Sequence, residues 1–181
     1  EKEAVLRVDP QSLDQLLHPV FIEASEKKAK KITIGLPASP GAATGQVVFS
    51  AEQAELWAEM GRTVILCRIE TSPEDIGGMA VAKGILTARG GMTSHAAVVA
   101  RGMGTCCVAG AGDVAMDYKK GLFKAGGKTV KEGDWISLNG STGAVYLGQV
   151  ATVDPKLTGP FGDIMALADK YRKLKVRTNA D

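Results

Sequence analysis

The sequence predicts a mixed α/β domain whose core holds more strand than helix, flanked by an arm at each end. Three observations carry this. Thr63-Val64-Ile65-Leu66-Cys67-Arg68-Ile69 is a nearly unbroken β-branched and apolar run of the kind found in strands covered on both faces. Gly133 to Leu138 and Gly143 to Leu147 flank the turn residues Asn139-Gly140-Ser141-Thr142, which reads as a hairpin. Short helical segments lie between the strands. Ala51 to Met60 is rich in helix formers and closes at Gly61. Ser72-Pro73-Glu74-Asp75 supplies an N-cap, a first-turn proline and two acids, opening a helix that runs to about Ala82.

In chain order, residues 1–31 read as an arm: Pro19 interrupts the pattern Leu13-Asp14-Gln15-Leu16-Leu17-His18, and a charged stretch from Glu23 to Lys31 follows. The compact region, 32–150, is expected to begin near Ile32 with the turn-rich Gly35 to Gly41 and the strand Gly45 to Phe49, and Gly84 to Thr87 is a further short strand. After Val150 the breakers Pro155, Gly159, Pro160 and Gly162 end the fold. Asp163 to Leu174 then carries a helical apolar pattern, so residues 151–181 form a second arm. Lys175 to Asp181 reads as the start of a strand, and the chain opens on Glu1 rather than methionine, so a piece of a longer polypeptide, here called the parent, is expected.

Composition excludes several classes. Lys and Arg number 22 against 20 Asp and Glu, and aromatics make up 5%, so neither a global field nor a stacking surface points to nucleic acid. No apolar run approaches the ~20 residues of a membrane span, and no signal-peptide pattern is present. Cys67, Cys106 and Cys107 read as reduced core residues, the adjacent pair pointing to opposite faces of one strand. The two histidines, His18 and His95, are far apart with no ligand cluster around either, so no metal site is expected.

The stretch that bears on chemistry is Thr87-Ala88-Arg89-Gly90-Gly91-Met92-Thr93-Ser94-His95-Ala96-Ala97-Val98-Val99-Ala100-Arg101-Gly102, a strand, a flexible loop and a helix. Gly90 and Gly91 permit a tight excursion, Thr93 or Ser94 can cap the helix, and Gly102 or Gly104 can end it. At 100° per residue, Ala96, Val99, Ala100 and Met103 fall between about 40° and 140° from His95 on one apolar face, with Arg101 opposite. His95 then lies in the first turn, where unpartnered N–H groups and the positive end of the helix dipole favour an anion and disfavour an imidazolium. Those conditions suit a nucleophilic ring nitrogen. On spacing alone, a lone histidine after a glycine turn is more often a capping or packing residue, and both readings stand at this point.

Residues Gly90 to Arg101 resemble the phosphohistidine signature of enzymes that use phosphoenolpyruvate: a glycine pair, a threonine, one residue, the phosphorylated histidine, then a small apolar helix. That superfamily includes pyruvate, phosphate dikinase, phosphoenolpyruvate synthase and the first enzyme of the sugar phosphotransferase system. Leu66 to Asp75, Met92 and Gly104-Thr105-Cys106-Cys107-Val108 resemble the dikinase branch, and the likeness covers nearly the whole chain. Thr105 departs from it, since lysine is expected there.

The resemblance implies a swivelling β/β/α phosphohistidine domain at 32–150, with residues 1–31 leading from an ATP-grasp nucleotide domain and 151–181 leading into a phosphoenolpyruvate/pyruvate barrel. It implies the reaction ATP + pyruvate + phosphate = AMP + phosphoenolpyruvate + diphosphate, with His95 carrying the phosphoryl group on Nε2. It makes Gly90, Gly91, Thr93, Ser94 and Arg101 the support of the phosphate loop, and Thr93 a regulatory phosphorylation site for a kinase/phosphatase. Mg2+ is expected in the parent, bound outside this chain. The parent is expected to be a homodimer in the cytoplasm, with plastid or glycosome as alternatives. Two rival readings are a phosphoenolpyruvate synthase carrier, which uses water in place of phosphate, and a non-catalytic swivelling binding module.

Overall fold

The computed structural model describes residues 1–9, 13, 16–155 and 159–174. They divide into two compact units, His18–Asp154 and a second made of Glu1–Leu17 with Pro155–Asp181. The larger unit holds an eight-stranded mixed sheet in the order β2-β12-β11-β4-β5-β6-β7-β3. Its strands are β2 (Lys30–Ile34), β3 (Leu36–Ser39), β4 (Ala42–Val48), β5 (Val64–Arg68), β6 (Gly84–Thr87), β7 (Cys106–Ala109), β11 (Trp135–Asn139) and β12 (Ala144–Leu147). The run β4-β5-β6-β7 is parallel, and the other pairs in the sheet are antiparallel. A three-stranded sheet, β8 (Ala115–Asp117), β9 (Leu122–Ala125) and β10 (Lys128–Lys131), and a two-stranded pair, β1 (Val20–Phe21) with β13 (Thr152–Val153), complete the unit.

The parallel strands are buried on both faces, as their continuous apolar runs predict. In β5, Val64 and Leu66 join Val48, Met79, Ile85, Ala97 and Ala100 in one cluster, while Ile65 and Cys67 join Leu86, Val108, Phe123, Val130 and Ile136 in another. Helices α3 (Ala51–Glu59), α4 (Ile76–Val81) and α5 (His95–Met103) supply the first cluster, and the three-stranded sheet supplies Phe123, Ala125 and Val130 to the second. This is the β/β/α layering that the resemblance implies. Cys106 and Cys107 fall in opposite clusters, as expected of neighbours on a strand.

Local signals explain most boundaries. Ser50 caps α3, its Oγ accepting from Gln53 N at 3.2 Å. The hairpin closes with Asn139 Oδ1 accepting from Ser141 N and Thr142 N at 3.1 Å each. Gly143 there has φ +78°, and a Cβ on it would stand 2.0 Å from the Gly35 carbonyl oxygen, so only glycine fits. The three-stranded sheet has no counterpart in the sequence reading. Its strands are three or four residues long with lysines alternating in, and its signal is the two-residue turn Gly126-Gly127, both at positive φ.

The ends differ from expectation in particular ways. Residues 18–31, assigned to the first arm, pack in the larger unit. Phe21 is buried and meets the Tyr146 ring edge-on at 6.0 Å. Glu26, in α2 (Glu23–Glu26), accepts hydrogen bonds from Asn139 Nδ2 at 2.7 Å and Tyr146 Oη at 2.8 Å. Burial and that carboxylate push the Tyr146 phenol up to about 12. The second unit contains α1 (Lys2–Arg7), which the sequence reading did not anticipate, and α6 (Pro160–Tyr171). Pro160 opens α6 rather than breaking the chain, because a proline at the first helical position forfeits no hydrogen bond. The strand expected over Lys175 to Asp181, and part of the Leu13–Pro19 motif, lie outside the described residues.

The cysteines yield a test. Burial raises the Cys67 thiol and pushes Cys106 and Cys107 up to about 12, against ~8.5 for an unfolded cysteine. A folded-state pKa raised in this way gives stability that is complete below ~8.5 and is lost as the pH climbs toward 12. Urea unfolding is expected to show a midpoint that falls as pH rises from about 8 to about 10. The three thiols should react with a disulfide reagent only on unfolding.

Candidate phosphohistidine site

Strands β5 and β6 are parallel neighbours, and pairing continues past their ends: Ala88 N donates to Arg68 O at 3.1 Å and Arg89 N to Ile69 O at 2.8 Å. The two loops that leave these ends therefore stay side by side. The β6 loop turns at Gly90, where φ is +108°, and its carbonyl lies so close to Gly110 that a Cβ there would come within 2.4 Å of the oxygen. Buried Thr87 anchors the same crossing, its Oγ1 accepting from Gly110 N at 3.3 Å and its carbonyl from Ala111 N at 2.9 Å.

His95 is the first residue of α5. Ser94 is the N-cap: its Oγ accepts from Ala97 N at 3.4 Å and its carbonyl from Val98 N at 3.0 Å. Of the two candidate caps, the structure selects Ser94 and leaves Thr93 exposed in the turn before it. The N–H groups of the first turn have no partner within a helix, so they and the dipole face the side where the imidazole begins. Gly104, at φ +67°, ends the helix with its N–H on Arg101 O at 3.2 Å.

The imidazole is half-buried, and its Nδ1 lies 2.9 Å from Oγ1 of buried Thr71 on the β5 loop. Thr71 thus occupies one ring nitrogen, and among the described residues Nε2 has no hydrogen-bond partner. Sequence reading missed Thr71, because its partner lies 24 residues away and only the parallel pairing of β5 with β6 brings the two loops together. Arg101, opposite the apolar face as the helical wheel predicts, braces the site: its Nε donates to Ala38 O at 2.7 Å and its Nη2 to Met92 O in the loop. Around Gly91 the space is open, with no atom within 4 Å of a Cβ built there. The structure thus brings Gly90, Gly91, Thr93, Ser94 and His95 into one loop and helix start, tied down by Arg101. Among the described residues, no three His, Cys, Asp or Glu side chains converge to hold a metal, and no helix is long and apolar enough to cross a membrane.

The strand, loop and helix start thus present one half-buried histidine, held at Nδ1 by Thr71. Residues 60–143 match the mobile domain of PEP-utilising enzymes. Over all 181 residues it is 58% identical to the pyruvate, phosphate dikinase of Clostridium symbiosum and 56% identical to pyruvate, phosphate dikinase 1, chloroplastic, of Arabidopsis thaliana. It is also 56% identical over 180 residues to pyruvate, phosphate dikinase 2 of Zea mays. The chain spans about a fifth of the length of these relatives, 21%, 19% and 20% respectively. A solution structure of Enzyme I aligns with 60% of this chain and 37% of its own, at 23% identity and a TM-score of 0.33.

The cap assignment makes a stability prediction. Ser94→Ala is expected to cost ~1 kcal/mol in denaturant unfolding. Thr93→Val, at an exposed position that caps nothing, is expected to stay within about 0.5 kcal/mol. Equal losses in the two variants would show that both hydroxyls hold the helix start.

Proposed function

We propose that this chain is the phosphocarrier domain of a pyruvate, phosphate dikinase and that His95 Nε2 takes up a phosphoryl group and passes it on. The observation that carries the reading is the pairing of Thr71 with Nδ1 at the start of α5, which leaves Nε2 as the ring nitrogen for a phosphoryl group. In one direction the Nε2 lone pair attacks the phosphorus of phosphoenolpyruvate. A P–N bond forms as the bond from phosphorus to the enol oxygen breaks, and the pyruvate enolate leaves to collect a proton. In the other half, the β-phosphoryl of ATP passes to Nε2 and the γ-phosphoryl to orthophosphate, releasing AMP and diphosphate; with the first step run in reverse, from Nε2 to the enolate oxygen of pyruvate, the sum is ATP + pyruvate + phosphate = AMP + phosphoenolpyruvate + diphosphate. First-turn N–H groups would be the donors for the transferred charge, and the ring needs no general base, since its nitrogen attacks unprotonated.

This reading needs partners outside the chain. The relatives are about five times as long, which leaves room for an ATP-grasp nucleotide domain and a phosphoenolpyruvate/pyruvate barrel on either side, and for the Mg2+ that would accompany phosphoryl donors there. Residues 18–154 would move between the two as a body, with 1–17 and 155–181 leading to them. The Arabidopsis relative is named chloroplastic; for this chain the cytoplasm is the expected place, with a plastid as alternative. Thr93 is proposed as a regulatory phosphorylation site. It is exposed, and a phosphate there would bring about −1.5 to −2 charges beside the same backbone donors.

Two measurements test the reading in the full-length protein. His95→Asn is expected to keep the fold, shown by an unchanged circular dichroism spectrum, and to abolish both acid-labile labelling from 32P-phosphoenolpyruvate and pyruvate exchange. Surviving exchange would overturn the assignment. Thr93→Asp is expected to reduce labelling of His95 by ~10-fold or more, while Thr93→Val keeps most of it, the difference being charge next to the helix start. Equal labelling of the two would remove the regulatory role.

A further inference from the structure

The segment that presents Thr71 is tied at both ends to one buried carboxylate. Arg68, the last residue of β5, places its Nε 3.2 Å from Asp75 Oδ1. Its Nη1 donates to Phe49 O at 3.0 Å, and its guanidinium carbon lies 5.3 Å from the centre of the Tyr118 ring. That Nε is buried and not aligned for a hydrogen bond, so the link to Asp75 is one of charge. On the far side of Thr71, Ser72 N donates to Asp75 Oδ2 at 2.9 Å, with Ser72 Oγ 3.4 Å from the same oxygen. Between them, Ile69 N donates to Tyr118 Oη at 2.6 Å. Asp75 itself is 4% exposed.

A carboxylate that served only as a helix-start cap would need no more than the contact with Ser72. Asp75 gives its second oxygen to the strand end instead, so one side chain fixes both the point where the chain leaves β5 and the point where it enters the helical segment. Thr71 lies between the two. A buried charge at this position is costly unless it is paired and hydrogen-bonded, and each of these contacts offsets that cost.

We propose that Asp75 and Arg68 are positioning residues for phosphoryl transfer: they hold Thr71 where its hydroxyl occupies His95 Nδ1, and so direct the phosphoryl group to Nε2. The inference rests on the reading of His95 as the carrier. It assigns to the pair a control over which ring nitrogen reacts, which a purely structural role would not include.

The test uses the full-length protein, initial rates of labelling from 32P-phosphoenolpyruvate, and chromatography of the two phosphohistidine isomers after alkaline hydrolysis. The wild type should carry label on Nε2 alone. Thr71→Val should label roughly 10- to 100-fold more slowly, since small displacements of a reacting group have effects of that order, and part of its label should move to Nδ1. Asp75→Asn should show the same two changes. The double variant should be no worse than the slower single one, because both act through one contact. Effects that multiply in the double variant, or an Asp75→Asn protein that labels slowly but still only on Nε2, would make Asp75 a structural residue and overturn the proposal. Should Asp75→Asn fail to fold, Arg68→Lys replaces it in the cycle, keeping the charge without the guanidinium fork. An unchanged isomer pattern in Arg68→Lys overturns the proposal equally. A wild-type protein that takes no label on His95 would instead sink the carrier reading, and this inference with it.

Discussion

The parallel pairing of β5 with β6 is the constraint on which the site depends. Two parallel neighbours end on the same edge of a sheet, so the loops that follow them emerge side by side. Here the register sets Arg68 opposite Thr87, and two further backbone bonds prolong the pairing beyond it. One loop then delivers Thr71 and the other His95, and their hydrogen bond follows from where the strands stop. Core burial keeps this edge rigid. Leu66 and Ile85 are packed under helices on one face, and Ile65 and Leu86 against the three-stranded sheet on the other, so neither strand can slide without moving side chains out of both clusters.

What is built on that edge is a holder for one ring nitrogen. The cap at Ser94, the glycine crossing at Gly90 and Gly110, and the brace from Arg101 to the loop carbonyl all fix the start of α5. Little of this is chemistry in itself. A histidine that receives and releases a phosphoryl group needs a free nitrogen, donors for the transferred charge and an absence of competing ligands. Apolar Ala96, Ala97 and Ala100 seat the helix closely on the sheet, and that closeness sets the depth of the ring.

Where the sequence was legible, the reason is a short-range signal. The β-branched run at Thr63 to Ile69, the Asn139 turn, the helix formers from Ala51 to Met60 and the glycine-to-histidine stretch each encode their structure within a few residues. Reading failed where the determinant was distant or the signal short. The sheet β8-β9-β10 is held by Phe123 and Val130 packing on a face that alternation with lysine disguises. Residues 18–31 read as an arm because they are charged, yet Phe21 and Glu26 find Tyr146 and Asn139 more than a hundred positions away.

By itself, then, the sequence determined the strand and helix types of the central layer, the place of His95 at a helix start and the glycine-rich turn before it, since periodicity, capping and turn chemistry are properties of neighbouring residues. The tertiary structure decided the rest: that Ser94 rather than Thr93 is the cap, that Thr71 meets Nδ1, and that Arg68 and Asp75 share the loop between them. Those contacts join residues from separate loops or from the two ends of one loop. Their distances are set by strand order and packing, which no local pattern contains.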